Sequence, residues 1–198
     1  FRALSRRLDP ARVIWRWDPV VVSSLTPPGY HLDRIQKVAQ ALEGHSERLV
    51  ISLLDFYGKV TGRLKRLSRD AGLSFRDVTL PQHREELLDL AGRIRDVAVR
   101  YGFEVYSCAE PVDLGSTGIG HGACIDGRLI RRLFGIERDM RKDKGQRTDC
   151  LCVESVDIGA YNTCSHQCVY CYANSSEETI RRNLTKHRKG SPLLVGGS

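Results

Sequence analysis

The residues best equipped for chemistry stand together near the end of the chain. They are Cys164-Ser-His-Gln-Cys168-Val-Tyr-Cys171, three thiols within eight residues. A Cys-x-x-x-Cys-x-x-Cys run lets one loop hold three corners of a cubic iron-sulfur cluster. A structural zinc takes four protein ligands, usually as two separated pairs. The spacing therefore favours iron-sulfur over zinc. A four-iron cluster held by three thiolates keeps one iron free of protein, and an open coordination position is where a metal engages substrate or cosubstrate. The bland reading of the same residues is a zinc knuckle without redox chemistry, closed by His166 as the nearest fourth ligand, or cysteines packed as small core residues.

Four of the seven cysteines remain: Cys108, Cys124, Cys150 and Cys152. Four thiols are what a second iron-sulfur cluster or a structural zinc requires, and free, partly buried thiols account for them equally well. An odd total argues against a disulfide framework and for a reducing, cytoplasmic setting. His121 and His166 read first as hydrogen-bonded structural residues. For Asp18 the ordinary role is pairing with an arginine or capping a strand end, and for Asp157 that of a buried, hydrogen-bonded group.

The elements that must position these residues follow from periodicity. Residues 12–22 are rich in β-branched and aromatic side chains and predict a strand, with Trp15 and Trp17 on one side, Arg16 and Asp18 on the other, and Pro19 near its end. A helix over 30–43 carries the stripe Leu32, Ile35, Val38, Ala39 and Leu42 and stops at Gly44. The apolar run 48–55 predicts a second strand of the parallel, doubly buried kind. Helical spacing returns at Val60, Leu64 and Leu67, and again from Leu87 to Tyr101, with Gly102 as the stop. Phe103–Cys108 predicts a third strand and 152–158 a fourth, with a short helix over 129–134 and an exposed polar loop over 137–149 between them. The spaced glycines Gly118, Gly120 and Gly122 match neither phosphate-loop nor dinucleotide spacing and are discounted as a nucleotide site. Ser175-Ser-Glu-Glu178 predicts a capping box for a last helix over 177–186, and residues 190–198 a frayed tail.

Strands alternating with helices predict an α/β fold with parallel β/α units. Four units are too few for a closed barrel of eight strands, so the expectation is an open, partial barrel in one domain, its first strands missing. The cluster-binding unit is expected at 150–175. The chain opens on Phe1 and is expected to be part of a longer protein. Asp18, Asp55, Glu110 and the cysteine loop fall at strand carboxyl ends, where such folds place their chemistry. No apolar run is long enough to cross a bilayer. Lys and Arg total 31 against 24 Asp and Glu, a net charge of +7 that permits an anionic partner such as nucleic acid. The basic stretches 63–69, 131–144 and 181–189 also read as solvated helix faces.

The cysteine spacing, with Tyr170 before the last thiol, resembles the signature of the radical SAM enzymes. More of the chain resembles a bacterial family designated domain of unknown function number eighteen forty-eight, whose C-terminal cysteines are likened to the radical SAM cluster. The matching stretches are Trp15-Arg-Trp-Asp-Pro19, Ser107-Cys-Ala-Glu110, His121-Gly-x-Cys-Ile-Asp126, Lys142-Asp143 with Gln146-Arg147, Cys150-x-Cys152, and Glu154 through Asn174. Leu151 and Gln167 stand where that pattern expects glycine. The resemblance implies a four-iron cluster on Cys164, Cys168 and Cys171 and S-adenosylmethionine on the open iron. Its reductive cleavage would yield a 5′-deoxyadenosyl radical that takes hydrogen from an unknown substrate, with an electron donor such as ferredoxin or flavodoxin. Placing the motif in the last unit resembles a circular permutation of the barrel. Under this resemblance Arg16, Asp18, Asp55, Glu110, Asp157 and Tyr170 are candidates for holding S-adenosylmethionine, and Lys142, Gln146 and Arg147 for substrate or phosphate. The alternative is a metal-stabilised binding module, iron-sulfur or zinc, acting on nucleic acid without radical chemistry.

Overall fold

Alternation in Trp15-Arg-Trp-Asp-Pro-Val20 builds the first strand of a parallel sheet. In the computed structural model, which describes residues 1–196, this strand (β1, Trp15–Val20) lies beside β3 (Arg48–Leu53), with Trp15 opposite Leu49 and Trp17 opposite Ile51. The register shifts between Trp17 and Val20, where Pro19 has no N–H to donate to a ladder. The next strand, β5 (Glu104–Cys108), pairs in parallel with β3, and β6 (Gly120–Gly122) pairs in parallel with β5. The order is β1-β3-β5-β6. A separate antiparallel pair joins β2 (Val22–Ser23) to β4 (Phe75–Arg76).

The chain divides into two compact units, Phe1–Leu54 with Ser74–Ser155 and Asp55–Leu73 with Val156–Ser198. In the first, the two faces of the sheet are covered differently. Leu49, Ile51, Val105 and Trp15 face a core completed by Ile35, Ala39 and Leu42 of α2 (Pro28–Leu42) and by Leu87, Leu90, Ala91, Ile94, Val97 and Ala98 of α4 (Arg84–Arg100). Trp15 meets the Phe103 ring edge-on at 5.1 Å. Val50, Tyr106 and Cys108 belong to a second, smaller cluster whose other members are Ala109, Cys150 and Cys152, with Ile14 and Ala123 packed against it. A parallel sheet needs both faces covered. The helices α2 and α4 cover one; on the other, an irregular, cysteine-bearing segment packs against Val50 and Tyr106, and residues 126–132 lie beside Arg48 and Tyr106.

That segment corrects one expectation. Residues 152–158 are not a strand: Val153 forms a single antiparallel bridge to Lys142, and Val156 and Ile158 are 87% and 92% exposed. The alternation that suggested a strand has no sheet edge to join. The fourth strand is instead Gly120–Gly122, which lies so close to β5 that a Cβ on Gly122 would come within 2.8 Å of Tyr106 Cβ and 3.0 Å of the Ser107 carbonyl. Its glycines are there for close backbone approach, consistent with discounting a phosphate loop.

Of the remaining helices, the first was not expected and the others keep near their expected places. α1 (Arg2–Leu8) precedes the sheet, and α5 (Gly127–Phe134) is capped by the Asp126 carboxylate, which accepts from the N–H groups of Arg128 and Leu129. The second unit contains α3 (Gly58–Ala71) and α6 (Glu177–Lys186). α6 is capped by Ser176, whose side chain accepts from Thr179 N at 3.1 Å, while Ser175 bonds Asn162. Residues 197 and 198 of the expected frayed tail lie outside the described residues. No described helix is long and apolar enough to cross a membrane.

Candidate metal centres

In the second unit, residues 160–176 form a loop held by polar contacts at several points. Asn162, at φ 59, accepts from Ser175 N and Ser175 Oγ through its side-chain oxygen at 2.6 and 2.7 Å, and its carbonyl accepts from Asn183 at 3.2 Å. Asn174, 4% exposed, donates to the Cys164 carbonyl at 2.9 Å. Arg63 of α3 spans 2.6 Å to the Cys171 carbonyl and 2.5 Å to that of Asn174, and Cys171 N donates to the Cys168 carbonyl at 3.0 Å. A guanidinium on two carbonyls is a charge-assisted, planar clamp. Gln167 sits at φ 53, in the left-handed region where glycine is at ease. The glycine expected at 167 thus has a backbone reason. Leu151 has none: it is not among the residues with positive φ.

The three thiols are free, Cys164 and Cys168 exposed and Cys171 half-buried. Among the described residues no three His, Cys, Asp or Glu side chains already stand arrayed as one metal's ligands. A cleft of about 360 Å³ opens beside Cys168, lined among others by Arg63, Arg66, Asp70, Asn174 and Glu177. The Asn174 side-chain oxygen is buried without a hydrogen-bond partner. Of the other expected site residues of this unit, Asp157 precedes the loop, Tyr170 lies on it and Asp55 comes just before α3. Asp157 is exposed and accepts from Gly159 N at 2.7 Å, Asp55 accepts from the Tyr57 hydroxyl at 3.1 Å, and Tyr170 is 39% exposed.

In the first unit, the other four cysteines gather. Cys108 ends β5 and Cys124 follows β6, their sulfurs 2.9 Å apart. Arg16 donates to Cys124 Sγ at 2.9 Å and pairs with Asp18, which also accepts from Ser52. Cys152 Sγ accepts from Ile125 N at 3.4 Å. Burial opposes the Arg16 charge, but Asp18 and Cys124 outweigh it and hold the guanidinium above its usual range. The hydrogen bond to Cys124, then burial, raises the Cys108 thiol. The same hydrogen bond and Arg16 bring Cys124 down to about 6 against its own desolvation. Burial raises Cys152. Such a set can serve as soft metal ligands or as a thiol–thiolate pair.

Ala109, at φ 52, turns the chain so that Glu110 reaches back to Leu53 N at 2.7 Å and ties the end of β5 to that of β3. His121 bonds the Asp149 carbonyl at 2.7 Å, a structural role like the one expected of it. Arg147 gives its carbonyl to Cys150 N at 3.0 Å. Sequence reasoning missed Arg63, which lies 108 residues from Cys171 and carries no local signal. It also missed His31, 4% exposed, placed on α2 between Tyr30 and Leu32.

No curated protein and no solved structure matches the chain. A family model described as Domain of unknown function (DUF1848) matches residues 1–173, most of the chain and all three cysteines of the run. With its tethered cysteine loop, its second thiol cluster and that match, the chain belongs to the DUF1848 family.

Proposed function

We propose that this protein is a radical SAM-like iron-sulfur enzyme in which Cys164, Cys168 and Cys171 hold a four-iron cluster with one open iron, and that its four-stranded parallel sheet is an arc of an open β/α barrel. The carrying observation is the loop itself. Three free thiols at Cys-x-x-x-Cys-x-x-Cys spacing lie on a segment anchored by Arg63 and Asn174, beside a cleft of about 360 Å³. The donor set fits the group: soft thiolates, three and not four, on an accessible loop. When bound and reduced by a one-electron donor such as ferredoxin or flavodoxin, such a cluster would supply the electron for splitting S-adenosylmethionine to methionine and a 5′-deoxyadenosyl radical able to take hydrogen from a substrate.

The chain's own residues bind and orient. Arg63 and Asn174 fix the loop carbonyls and so the directions in which the thiols leave the backbone. Arg63 and Arg66 share the cleft wall with Asp70 and Glu177, so both signs of charge face a ligand there. Tyr170, Asp157 and Asp55 are the polar groups of this unit assigned to S-adenosylmethionine. Arg16, Asp18 and Glu110 belong to the other unit and already hold Cys124, Ser52 and Leu53 N. Anaerobic reconstitution with iron and sulfide tests the ligand set: in a background with the other four cysteines changed to serine, about four irons per chain are expected, and none in that background with Cys168→Ala. Four irons retained without Cys168 would overturn the ligand set and leave a metal-stabilised binding module as the reading.

A further inference from the structure

We infer that Cys108, Cys124, Cys150 and Cys152 form a tetrathiolate zinc site that fastens the irregular segment 149–153 over the face of the parallel sheet opposite α2 and α4. The site is independent of Cys164, Cys168 and Cys171 and shares no ligand with them. Its four sulfurs come from three stretches far apart in sequence. Cys108 is the last residue of β5, Cys124 follows β6, and Cys150 and Cys152 lie on the covering segment. Cys108, Cys150 and Cys152 are 6–7% exposed and share one cluster with Val50 and Ala109. Cys124 lies 2.9 Å from Cys108, sulfur to sulfur, and completes the set.

Backbone contacts lead the covering segment onto this point from both sides. His121 bonds the Asp149 carbonyl at 2.7 Å, Val153 N donates to the Ile125 carbonyl at 3.1 Å, and Asp143 N to the Cys152 carbonyl at 2.9 Å. Two donors already face the sulfurs, Ile125 N to Cys152 and Arg16 to Cys124. N–H groups aimed at sulfur stabilise thiolate ligands and set their direction. A segment without regular structure has no ladder or helix of its own, and a metal staple supplies what a small irregular element lacks.

The Cys108–Cys124 sulfur spacing favours the smaller centre. Tetrahedral zinc with Zn–S bonds of about 2.3 Å holds its sulfurs about 3.8 Å apart. Cys124 therefore has to withdraw from Cys108 by about 1 Å, a short movement for an exposed residue. A four-iron cube seats its thiolates on separate irons, farther apart again, and would require a larger separation of Cys124 from buried Cys108.

The test uses the full chain with Cys164, Cys168 and Cys171 changed to alanine, so that its outcome is separate from the fate of the radical SAM-like centre. Cobalt(II) is titrated under anaerobic conditions and then displaced with zinc. One cobalt per chain is expected, with the thiolate charge-transfer and visible d–d absorption of a tetrahedral all-sulfur site, and zinc should abolish both. Adding Cys124→Ser, at an exposed position, should weaken cobalt binding by roughly a hundredfold or more. Zinc content of the chain as isolated and a zinc-dependent rise in melting temperature give a second readout that requires no ligand variant. Absence of thiolate–cobalt absorption in the triple variant would overturn the inference. So would binding unchanged by Cys124→Ser, or a four-iron cluster forming there in place of zinc.

Discussion

Gln167 holds a left-handed backbone, φ 53, in the middle of the cysteine loop. A residue with a Cβ is strained there by about 1 kcal/mol, and glycine is not. Gln167→Gly is therefore expected to leave metal binding intact and to raise stability by up to about 1 kcal/mol, read by chemical denaturation. A clear loss of stability would show that the glutamine side chain contributes more than its backbone costs. His31 carries the second residue-scale prediction. Trp17 Nε1 donates to His31 Nδ1 at 3.3 Å, which assigns the ring proton to Nε2, 2.9 Å from the Val21 carbonyl. Burial lowers its pKa, so the folded chain keeps the ring neutral while the unfolded chain protonates it near pH 6.5. Unfolding then takes up a proton in acid: the stabilising contribution is full above pH 6.5 and is lost as pH falls below it. Melting temperature should drop between pH 7.5 and 5.5, and the slope should flatten in His31→Gln; equal slopes would contradict the assignment. The sequence showed the glycine expectation at 167 but hid His31, because a polar residue on a helix gives no sign of facing an indole from a neighbouring strand.

At the scale of elements, the cysteine loop owes its form to α3 and to Asn174. Arg63→Ala removes two charge-assisted bonds to carbonyls, and Asn174→Ala removes the bond to Cys164 and leaves a buried void. Each is expected to cost about 1–3 kcal/mol and to speed release of iron to a chelator. Iron release at the wild-type rate from both variants would show that the loop does not need its anchors. Long periodic helices and the strands Arg48–Leu53 and Glu104–Cys108 were legible because their side-chain periods report burial directly. Gly120–Gly122 was not, since its strand character comes from pairing with β5 and not from its side chains. Residues 152–158 were misread for the converse reason: the alternation is present, but Val156 and Ile158 stand exposed. Local pattern specifies an element only where something stands opposite to bury it.

For the whole molecule, the thiols divide into two sets that share no cysteine and belong to different compact units. The division was partly legible, since three cysteines at cluster spacing left four over. Their convergence was not, because Cys108, Cys124 and the pair Cys150 and Cys152 are joined only by the folding of the sheet and its covering segment. Metal loading should accordingly separate: Cys168→Ala is expected to lose iron and keep zinc, and Cys124→Ser to do the reverse, both read by metal analysis of the same preparations. Loss of both metals from either variant would contradict independent sites. The central claim remains the open iron on Cys164, Cys168 and Cys171. It is tested most directly by electron paramagnetic resonance of the reconstituted, reduced chain with and without S-adenosylmethionine, beside a Cys168→Ala control. A four-iron signal that changes on adding S-adenosylmethionine and is missing from the control is the predicted result. A cluster signal indifferent to S-adenosylmethionine would contradict the account.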